Sequence, residues 1–313
     1  MIDDVRSAFI AIVGPDRVQM DAPLAPLTTF KVGGPADVLV EPRSSGEMVA
    51  SLEVAHRCGL PVTLLGGGSN VLVSDTGVRG LVLRPRGGEV AAIDTTHVRA
   101  DAAVAINGLV RWTIHHGCAS LEAWAGTPGT VGGAIFGNAH FNGHNISELV
   151  TGARLASRAG EVRDVAVDDM AFGYDRSRLQ SSGEILLWAV FRVTPGDPAA
   201  LRAAARQSLA FRKRTQPLDT PSAGCIFQNP QRDRDRVPDG IPWSAGALVD
   251  RAGLKGAAVG GACVSRTHGN FIVNEGGATA RDIRTLIEHC RAAVRERFGV
   301  ELREEIVYLG EFE

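Results

Sequence analysis

The chain has 313 residues, of which 44% are hydrophobic and 22% charged, and its formal net charge is −2. A chain of this length is expected to fold as two or three packed units. The balanced charge predicts neither a nucleic-acid surface nor a polybasic membrane patch, and no apolar run approaches the ~20 residues that cross a bilayer. Because residues Met1–Arg6 do not lead into a signal-peptide core, we expect a cytoplasmic protein.

Cysteine and histidine patterns argue against a metal site. The five cysteines are odd in number and include no CxxC pair, so neither a disulfide framework nor structural zinc is predicted. The eight histidines include no HExxH motif. The adjacent His115 and His116 would point in different directions on a helix, so they are not expected to share a metal.

The first part of the chain predicts a small α/β unit that follows a leading helix and a polar connector. Proline ends its first strand, glycine ends its helix, and three short strands surround a glycine turn. The predicted elements are the helix and connector (1–27), a strand (36–42), a helix (45–57) and strands at 61–65, 71–73 and 81–83.

The middle and last parts of the chain predict an α+β unit with a mixed sheet and then a second unit. Pro195–Pro198 is the predicted boundary, and Thr279 with Asp282 predicts a capping box before a long helix that buries Cys290. Residues 231–239 alternate arginine with aspartate and predict a solvated loop. The other elements are strands (98–106, 150–158, 185–193, 306–309) and helices (107–117, 199–213, 280–298).

Two glycine clusters carry the first chemical signal. Gly66-Gly67-Gly68-Ser69-Asn70 lies between two predicted strands, where side-chain-free amides can form an anion nest for a diphosphate. Taken alone, this run is also compatible with an ordinary tight turn. A second cluster, Gly126–Ala134, has four glycines in its first eight residues. The pair of loops suggests a large phosphorylated cofactor, while the absence of a GxGxxG motif argues against a Rossmann site.

Other segments offer polar chemistry with plausible structural alternatives. Cys225 follows Ser222-Ala223-Gly224 and precedes an Asn-Pro turn, which is typical of a side chain presented by a constrained backbone, although small cysteines are usually core. Phe172–Gln180 and Phe211–Pro217 carry arginines that can bind carboxylate or phosphate, or can simply be solvated helix faces. Glu301–Ile306 brings carboxylates to the start of the last strand, where a surface position is the common alternative.

In this order the motifs resemble the UDP-N-acetylenolpyruvoylglucosamine reductase (UDP-N-acetylmuramate dehydrogenase) family of flavoenzymes. The resemblance covers roughly residues 24–310. The matching segments are Thr28–Ala36, Gly66–Asn70, Gly126–Ala139, Phe172–Gln180, Ser222–Pro230, Ala252–Gly256, His268–Asn274 and Arg297–Gly310.

The resemblance implies an α+β fold with a two-lobed, PCMH/VAO-like FAD-binding domain, made of a small α/β lobe and a mixed α+β lobe, followed by a C-terminal α+β substrate domain. The implied bounds are 28–195 for the FAD-binding domain, with lobes of about 28–85 and 86–195, and 199–313 for the substrate domain. The short segment before the cysteine motif is similar to the form of the family that lacks a tyrosine-bearing lid.

The implied reaction uses NADPH and non-covalent FAD to reduce the enolpyruvyl group of a UDP-sugar in peptidoglycan precursor synthesis. Carried over residue by residue, Cys225 matches the proton donor, which is usually serine in the family, and Glu305 matches the catalytic glutamate. The cofactor-binding residues implied are Gly66, Gly67, Gly68, Ser69, Asn70, Gly126, Thr127, Pro128, Gly129, Thr130, Gly132, Gly133 and Ala134. The substrate-binding residues implied are Tyr174, Arg214, Gln216, Asn229, His268 and Asn270.

One position departs from the family pattern. The family's catalytic arginine directly follows the tyrosine, but this chain has Asp175 there. We hypothesise that Arg176 takes the role through a local register shift, with Arg178 as the second candidate. The sequence leaves open the arginine's identity, the choice between NADPH and NADH, and the role of residues 231–243.

Two other functions stay open at this point. The chain could be a different FAD-dependent oxidoreductase of the same fold, although Ser69 and Asn70 stand where covalent attachment would need histidine or cysteine. It could also be a flavin-binding protein whose chemistry has decayed, which Asp175 suggests and the retained Cys225 and Glu305 oppose. We expect a monomer with no metal, no nucleic-acid partner and no membrane partner.

Overall fold

The computed structural model describes residues 2–141 and 143–312. The α-helices are α1 (Ile2–Val13), α2 (Ser45–Arg57), α3 (Ile106–His115), α4 (Val131–Phe136), α5 (Leu179–Ser182), α6 (Pro198–Thr215), α7 (Ala245–Arg251) and α8 (Ala280–Phe298). The strands are β1 (Val18–Pro23), β2 (Pro35–Val40), β3 (Val62–Leu64), β4 (Val71–Val73), β5 (Val78–Leu83), β6 (Val90–Ala92), β7 (His97–Asp101), β8 (Cys118–Ala119), β9 (His140–Phe141), β10 (His144–Asn145), β11 (Val150–Ala156), β12 (Val162–Ala166), β13 (Ile185–Arg192), β14 (Thr194–Pro195), β15 (Ala258–Val259), β16 (Ala262–Val264), β17 (Ile272–Asn274) and β18 (Val307–Leu309).

The chain divides into two compact units, each assembled from separate stretches. The first unit contains Met1–Ala22, Ala36–Gly67 and Arg79–Phe211. The second unit contains Pro23–Pro35, Gly68–Val78 and Arg212–Glu313. Residues 1–78 are thus divided between the two units. The domain bounds implied by the resemblance stay a prediction.

The smaller sheet of the first unit has the strand order β1-β2-β5-β3, with β3 and β5 parallel. Helix α2 begins where Ser44 Oγ accepts a hydrogen bond from Glu47 N at 3.1 Å, and it buries Leu52 in the same apolar cluster as strands β2 and β5. The strand predicted at 71–73 forms, but it does not join this sheet. It pairs in parallel with β18 in the second unit, so its assignment to the α/β unit was wrong.

The larger sheet of the first unit has the order β12-β11-β13-β7-β6. All four pairs of neighbouring strands are antiparallel, so the prediction of a mixed sheet was wrong, whereas the α+β class is confirmed. The strand predicted over 98–106 ends at Asp101, because residues 102–105 turn and α3 begins at Ile106. Helices α3 and α4 contribute Leu109 and Ile135 to the core of this sheet.

The second unit packs α8 against the antiparallel sheet β15-β16-β17. The predicted capping box is confirmed: Thr279 Oγ1 accepts from Asp282 N at 3.0 Å, and Asp282 Oδ2 accepts from Thr279 N at 2.9 Å. Asp75 adds a second cap, because its carboxylate accepts from Ala280 N at 2.8 Å and from Arg281 N at 3.0 Å. The predicted core position of Cys290 is also confirmed, since this residue is 1% exposed.

The loop at 231–239 departs from its prediction at one residue. Most of the loop is exposed, but the side chain of Asp235 is only 6% exposed and lies 3.0 Å from Arg303 Nη1. The carboxylate also accepts from Gln231 N at 2.7 Å. Asp235 therefore attaches the loop to the stretch that precedes β18.

Within residues 2–141 and 143–312, no helix combines the length and the apolar character needed to cross a bilayer. In the same ranges, no three His, Cys, Asp or Glu side chains form a group that could hold a metal ion.

Candidate active site

The segment around Cys225 lies between two extended stretches of the second unit. On one side, Ser222 forms a bridge with Val273, and Ile226 N donates to Asn270 O at 2.9 Å. On the other side, Phe227 forms an antiparallel bridge with Glu304. Between these attachments the chain turns at Gly224, whose φ of 79° favours glycine.

This pairing brings the predicted proton donor beside the predicted catalytic glutamate. Glu305 N donates to Ile226 O at 2.8 Å, and Gln228 N donates to Arg303 O at 2.8 Å. Ile226 and Phe227 are 0% and 2% exposed, so they anchor the segment, whereas the preceding Cys225 is only partly buried. Residues 80 positions apart in the sequence thus become neighbours through backbone hydrogen bonds.

The side chain of Asn270 holds the Cys225 segment on the side opposite to residues 303–305. Its Oδ1 accepts from Phe227 N at 2.9 Å, and its Nδ2 donates to Phe227 O at 2.7 Å. Asn270 is 3% exposed. The side chain that was predicted to bind substrate therefore satisfies both backbone groups of the residue two positions after Cys225.

Asn70, predicted to bind the cofactor, holds the glutamate stretch. Its Nδ2 donates to Glu305 O at 3.1 Å, and its own carbonyl accepts from Val307 N at 3.0 Å. The glycine loop therefore fixes the backbone on both sides of Ile306.

Arg212 lies near Cys225 and belongs to the basic run Phe211–Pro217, but it was not among the individual residues predicted for the site. It lies in the last turn of α6 and is 6% exposed. Burial lowers the pKa of its guanidinium to about 10, and the nearby Cys225 sulfur opposes that shift. The available signal was its helical spacing from Leu201, Ala205 and Leu209, which marks the buried face of α6.

The remaining residues predicted to bind substrate in the second unit have varied environments. Asn229 Oδ1 accepts from Ala245 N at 3.0 Å, at the start of α7. His268 is part-buried, and burial followed by the charge of Lys255 lowers its pKa. Arg214 is exposed and Gln216 is partly exposed.

In the first unit, Gly66 and Gly67 pack closely against the second glycine loop. A Cβ at Gly67 would lie 2.6 Å from Gly129 Cα, and one at Gly66 would lie 2.9 Å from Thr130 Oγ1. Asn107 on α3, which the sequence reasoning missed, fixes this second loop. Its side chain accepts from Gly126 N at 2.7 Å and donates to Thr127 O at 3.1 Å.

The first glycine loop fits an anionic group. Gly66, Gly67, Gly68, Ser69 and Asn70 donate no backbone hydrogen bond to an acceptor in the described part of the chain. Successive backbone amides without internal acceptors are suited to phosphate oxygens. In the second loop three successive amides already have acceptors within the protein: Val131 N donates to Val104 O, Gly132 N to Ala102 O and Gly133 N to Thr130 Oγ1. This loop is therefore suited to packing closely against a ligand more than to donating hydrogen bonds to it.

The predicted arginine segment forms a tight turn in the first unit. Gly173 and Arg176 exchange both backbone hydrogen bonds, at 2.9 and 3.2 Å. Asp175 has a φ of 51°, a left-handed conformation that Asp tolerates better than most residues. Arg176 is exposed, and no ion pair or side-chain hydrogen bond involves it among the described residues.

Arg178 differs from Arg176 in being committed to a local network. Its Nε donates to Glu184 Oε2 at 2.9 Å and its Nη1 donates to Asp169 O at 2.9 Å. Of the two candidate arginines, Arg176 is therefore the one whose guanidinium is available to a ligand.

The turn at 173–176 is fixed by side chains from outside it. Asn138 Nδ2 donates to Gly173 O at 2.8 Å, and Gln180 Nε2 donates to Asp175 O at 2.9 Å. Ser177, just after the turn, donates to Phe136 O at 2.8 Å. These contacts give Tyr174 and Arg176 a defined position in the first unit.

Comparisons with known proteins agree with this arrangement. Residues 36–166 match the family described as FAD binding domain, and residues 216–309 match the C-terminal domain of UDP-N-acetylenolpyruvoylglucosamine reductase. UDP-N-acetylenolpyruvoylglucosamine reductase 2 of Symbiobacterium thermophilum is 41% identical over 298 residues, which are 95% of this chain and 93% of the relative. The reductase of Bacillus velezensis is 38% identical over 296 residues, covering 94% of each chain.

A solved structure gives the same result. The crystal structure of UDP-N-acetylenolpyruvylglucosamine reductase from Thermus caldophilus matches with a TM-score of 0.75 at 30% identity, covering 93% of this chain and 98% of that chain. The predicted family, and an α+β fold with an FAD-binding domain followed by the C-terminal domain, are confirmed. The chain belongs to the UDP-N-acetylenolpyruvoylglucosamine reductase family.

Proposed function

We propose that this protein reduces the enolpyruvyl group of UDP-N-acetylglucosamine enolpyruvate to give UDP-N-acetylmuramate for peptidoglycan precursor synthesis. NADPH is the hydride donor and non-covalently bound FAD is the carrier. The observation that carries the proposal is the backbone pairing of Ile226 and Gln228 with residues 303–305, because it sets Cys225 beside Glu305. Family membership supports the same reaction.

The two glycine loops, 66–70 and 126–134, are proposed to hold the cofactor. Their support is the set of amides at 66–70 without internal acceptors and the close packing of Gly67 on Gly129. When bound, FAD accepts hydride from NADPH and delivers it to the methylene carbon of the substrate.

Cys225 is proposed to donate the proton that completes the reduction. Hydride addition to the methylene carbon leaves negative charge on the carbon next to the carboxylate, and that carbon must then be protonated. A cysteine thiol has an ordinary pKa of about 8.5, so it is mostly protonated at neutral pH yet far more acidic than serine. The buried guanidinium of Arg212 supports this role, since it stabilises the thiolate that remains after the proton leaves.

Glu305 is proposed to hydrogen-bond the developing enolate through its carboxyl group. Its backbone is fixed by hydrogen bonds to Ile226 and to Asn70, so the side chain starts from a defined position. Such preorganised groups lower a barrier because they need not reorganise during the reaction.

Arg176 is proposed to bind the negative charge of the substrate, with Arg178 as the second candidate. The support for Arg176 is its exposure at the end of a fixed turn, whereas Arg178 already pairs with Glu184. Tyr174, Arg214, Gln216, Asn229 and His268 are proposed to contact the UDP-sugar. Asn270 is assigned a supporting role, because both ends of its amide bind Phe227.

The test separates the two halves of the reaction. The purified yellow protein is reduced anaerobically with NADPH, and the enolpyruvyl UDP-sugar is then added while flavin absorbance is followed. We expect rapid reoxidation and, in deuterated water, one deuterium on the α-carbon of the lactyl group. Reduction by NADPH without reoxidation by this substrate would contradict the proposed reaction and favour another oxidoreductase of the same fold.

The proposal also takes the enzyme to act as a monomer. Sedimentation equilibrium in the presence of FAD would check this, and a stable dimer would contradict it.

A further inference from the structure

Asp175 is a buried carboxylate with a single ion-pair partner among the described residues. Its side chain is 6% exposed, and its Oδ1 lies 3.0 Å from Nδ1 of His140. Its other oxygen, Oδ2, is buried and has no hydrogen-bond partner in residues 2–141 and 143–312. A carboxylate withdrawn from water is unfavourable unless a cation or hydrogen-bond donors compensate it. His140 supplies that compensation here.

His140 is held from several directions and is still accessible. It lies on β9 opposite Asn145 of β10, and Asn145 is fixed by hydrogen bonds to Glu148. Its ring centroid is 5.1 Å from that of Tyr174, with the rings tilted by 40°. The imidazole side chain is 30% exposed, so a ligand can reach it.

The charged groups on the adjoining elements define the electrostatic setting of this pair. Arg176 follows Asp175 in the turn, while His144 lies on β10 and pairs with Glu148 at 3.6 Å. Asp175 is a carboxylate in direct contact with His140 Nδ1. An aspartate bound to Nδ1 keeps that proton in place, orients the ring and favours the imidazolium form.

We propose that Asp175 positions His140 so that, as an imidazolium, it donates a hydrogen bond from Nε2 to the carboxylate of the enolpyruvyl substrate. Asp175 is a positioning residue, and His140 is the group that contacts the ligand. The inference rests on the proposed function and adds to it a recognition element for the substrate's acid group. It also gives a role to the aspartate that stands where the resemblance predicts an arginine.

The test is a binding measurement on the flavin-loaded protein, independent of turnover. UDP-N-acetylmuramate carries the lactyl carboxylate and UDP-N-acetylglucosamine lacks it, so the ratio of their dissociation constants isolates the contact with the carboxylate. Calorimetry is run on the wild type, His140→Gln and Asp175→Asn. Asparagine also tolerates the left-handed conformation of residue 175, so the turn is retained. The matched control is His97→Gln, which removes the surface pair of His97 Nδ1 with Asp94 at 3.2 Å.

We expect the wild type and His97→Gln to prefer UDP-N-acetylmuramate, and His140→Gln and Asp175→Asn to lose about tenfold of that preference, as expected for a hydrogen bond to a charged group. Added imidazole should restore part of the preference in His140→Ala, which a purely structural role would not allow. An unchanged preference in His140→Gln overturns the inference alone. A wild type without any preference overturns both the inference and the proposed function.

Discussion

In the second unit, main-chain hydrogen bonds hold the Cys225 segment on both sides, whereas in the first unit side chains hold the turn at 173–176. Ile226 and Gln228 are fixed through backbone atoms of residues 303–305. The turn instead depends on Asn138 and Gln180. Main-chain pairing does not depend on which side chain residue 225 carries, so serine and cysteine are structurally interchangeable there. At residue 175 a changed side chain alters the local charge while the turn persists.

The largest effect is expected for substitution of Cys225. If that effect were absent, the contrast between the Cys225 segment and the turn at 173–176 would lose its functional meaning. Cys225→Ala should slow reoxidation of the reduced flavin by substrate by about 10²–10⁴-fold, because a positioned proton donor is removed. Cys225→Ser should keep measurable turnover. Both variants should be reduced by NADPH at the wild-type rate in stopped-flow experiments.

Cys118→Ala is the matched control for that measurement. Cys118 is partly buried on β8 in the first unit, so it shares the residue type without the setting. Reoxidation of Cys225→Ala at the wild-type rate would remove Cys225 from the mechanism.

Two buried asparagines test how much a side chain contributes to holding each segment. Asn270→Ala leaves Phe227 N and O without their partner, and Asn138→Ala does the same to Gly173 O and Ser147 N. Each should lower the free energy of unfolding by about 2–4 kcal/mol, since unsatisfied buried groups cost about 1–3 kcal/mol each. Denaturant titration measures this.

The two asparagine variants should differ in function while serving as each other's control. Asn270→Ala should slow substrate-dependent reoxidation, whereas Asn138→Ala should weaken binding of UDP-N-acetylmuramate. The same functional defect in both variants would contradict the assignment of the Cys225 segment to proton transfer and of the turn at 173–176 to substrate binding.

Alanine variants of Arg176 and Arg178 test which arginine of this segment contacts the substrate. Arg176→Ala should slow reoxidation by about tenfold or more, the effect of losing one charged contact. Arg178→Ala removes the ion pair with Glu184 and should lower stability by about 1 kcal/mol with little effect on that rate. Stopped-flow traces and thermal melts of the two variants would decide, and a slower reoxidation in Arg178→Ala alone would reverse the assignment.

The smallest effect concerns His268 and the pH dependence of stability. Burial lowers the pKa of His268 in the folded protein, so the unfolded chain takes up this proton more readily. The associated stability is full above about pH 6.5, the ordinary histidine value, and is lost as the pH falls towards the folded pKa. Thermal melts between pH 8 and pH 5 should show a shallower acid loss in His268→Gln than in the wild type, and identical slopes would contradict the assignment.

Local patterns in the sequence were enough for several elements. Helix α2 spans the predicted residues 45–57 and ends just before Gly59, and α8 follows its capping box. Each of these signals is contained in a few neighbouring residues, which is why a single sequence carries it. Cys225 and Glu305 were instead selected by the resemblance, because their local patterns alone left a structural alternative open.

Contacts between distant residues were not predictable in the same way. The hydrogen bond from Asn70 to Glu305 joins residues 235 positions apart, and nothing near Asn70 indicates its partner. The pairing of Asp175 with His140 and the burial of Arg212 likewise depend on tertiary packing. Strand β4 was predicted as a strand but assigned to the wrong unit, because short apolar runs do not encode their partners.

The parallel pairing of β4 with β18 also has a consequence for the order of folding. Val71 pairs with Val307, so this ladder cannot close until residues 307–309 have left the ribosome. Asp75, which caps α8, likewise has no partners until residues 280 and 281 have been made. Pairing over such sequence separations slows folding and leaves strand edges exposed in the meantime. During synthesis, residues 23–35 and 68–78 can pair with each other but lack their partners from residues 212–312 while the first unit assembles, so the second unit is completed last.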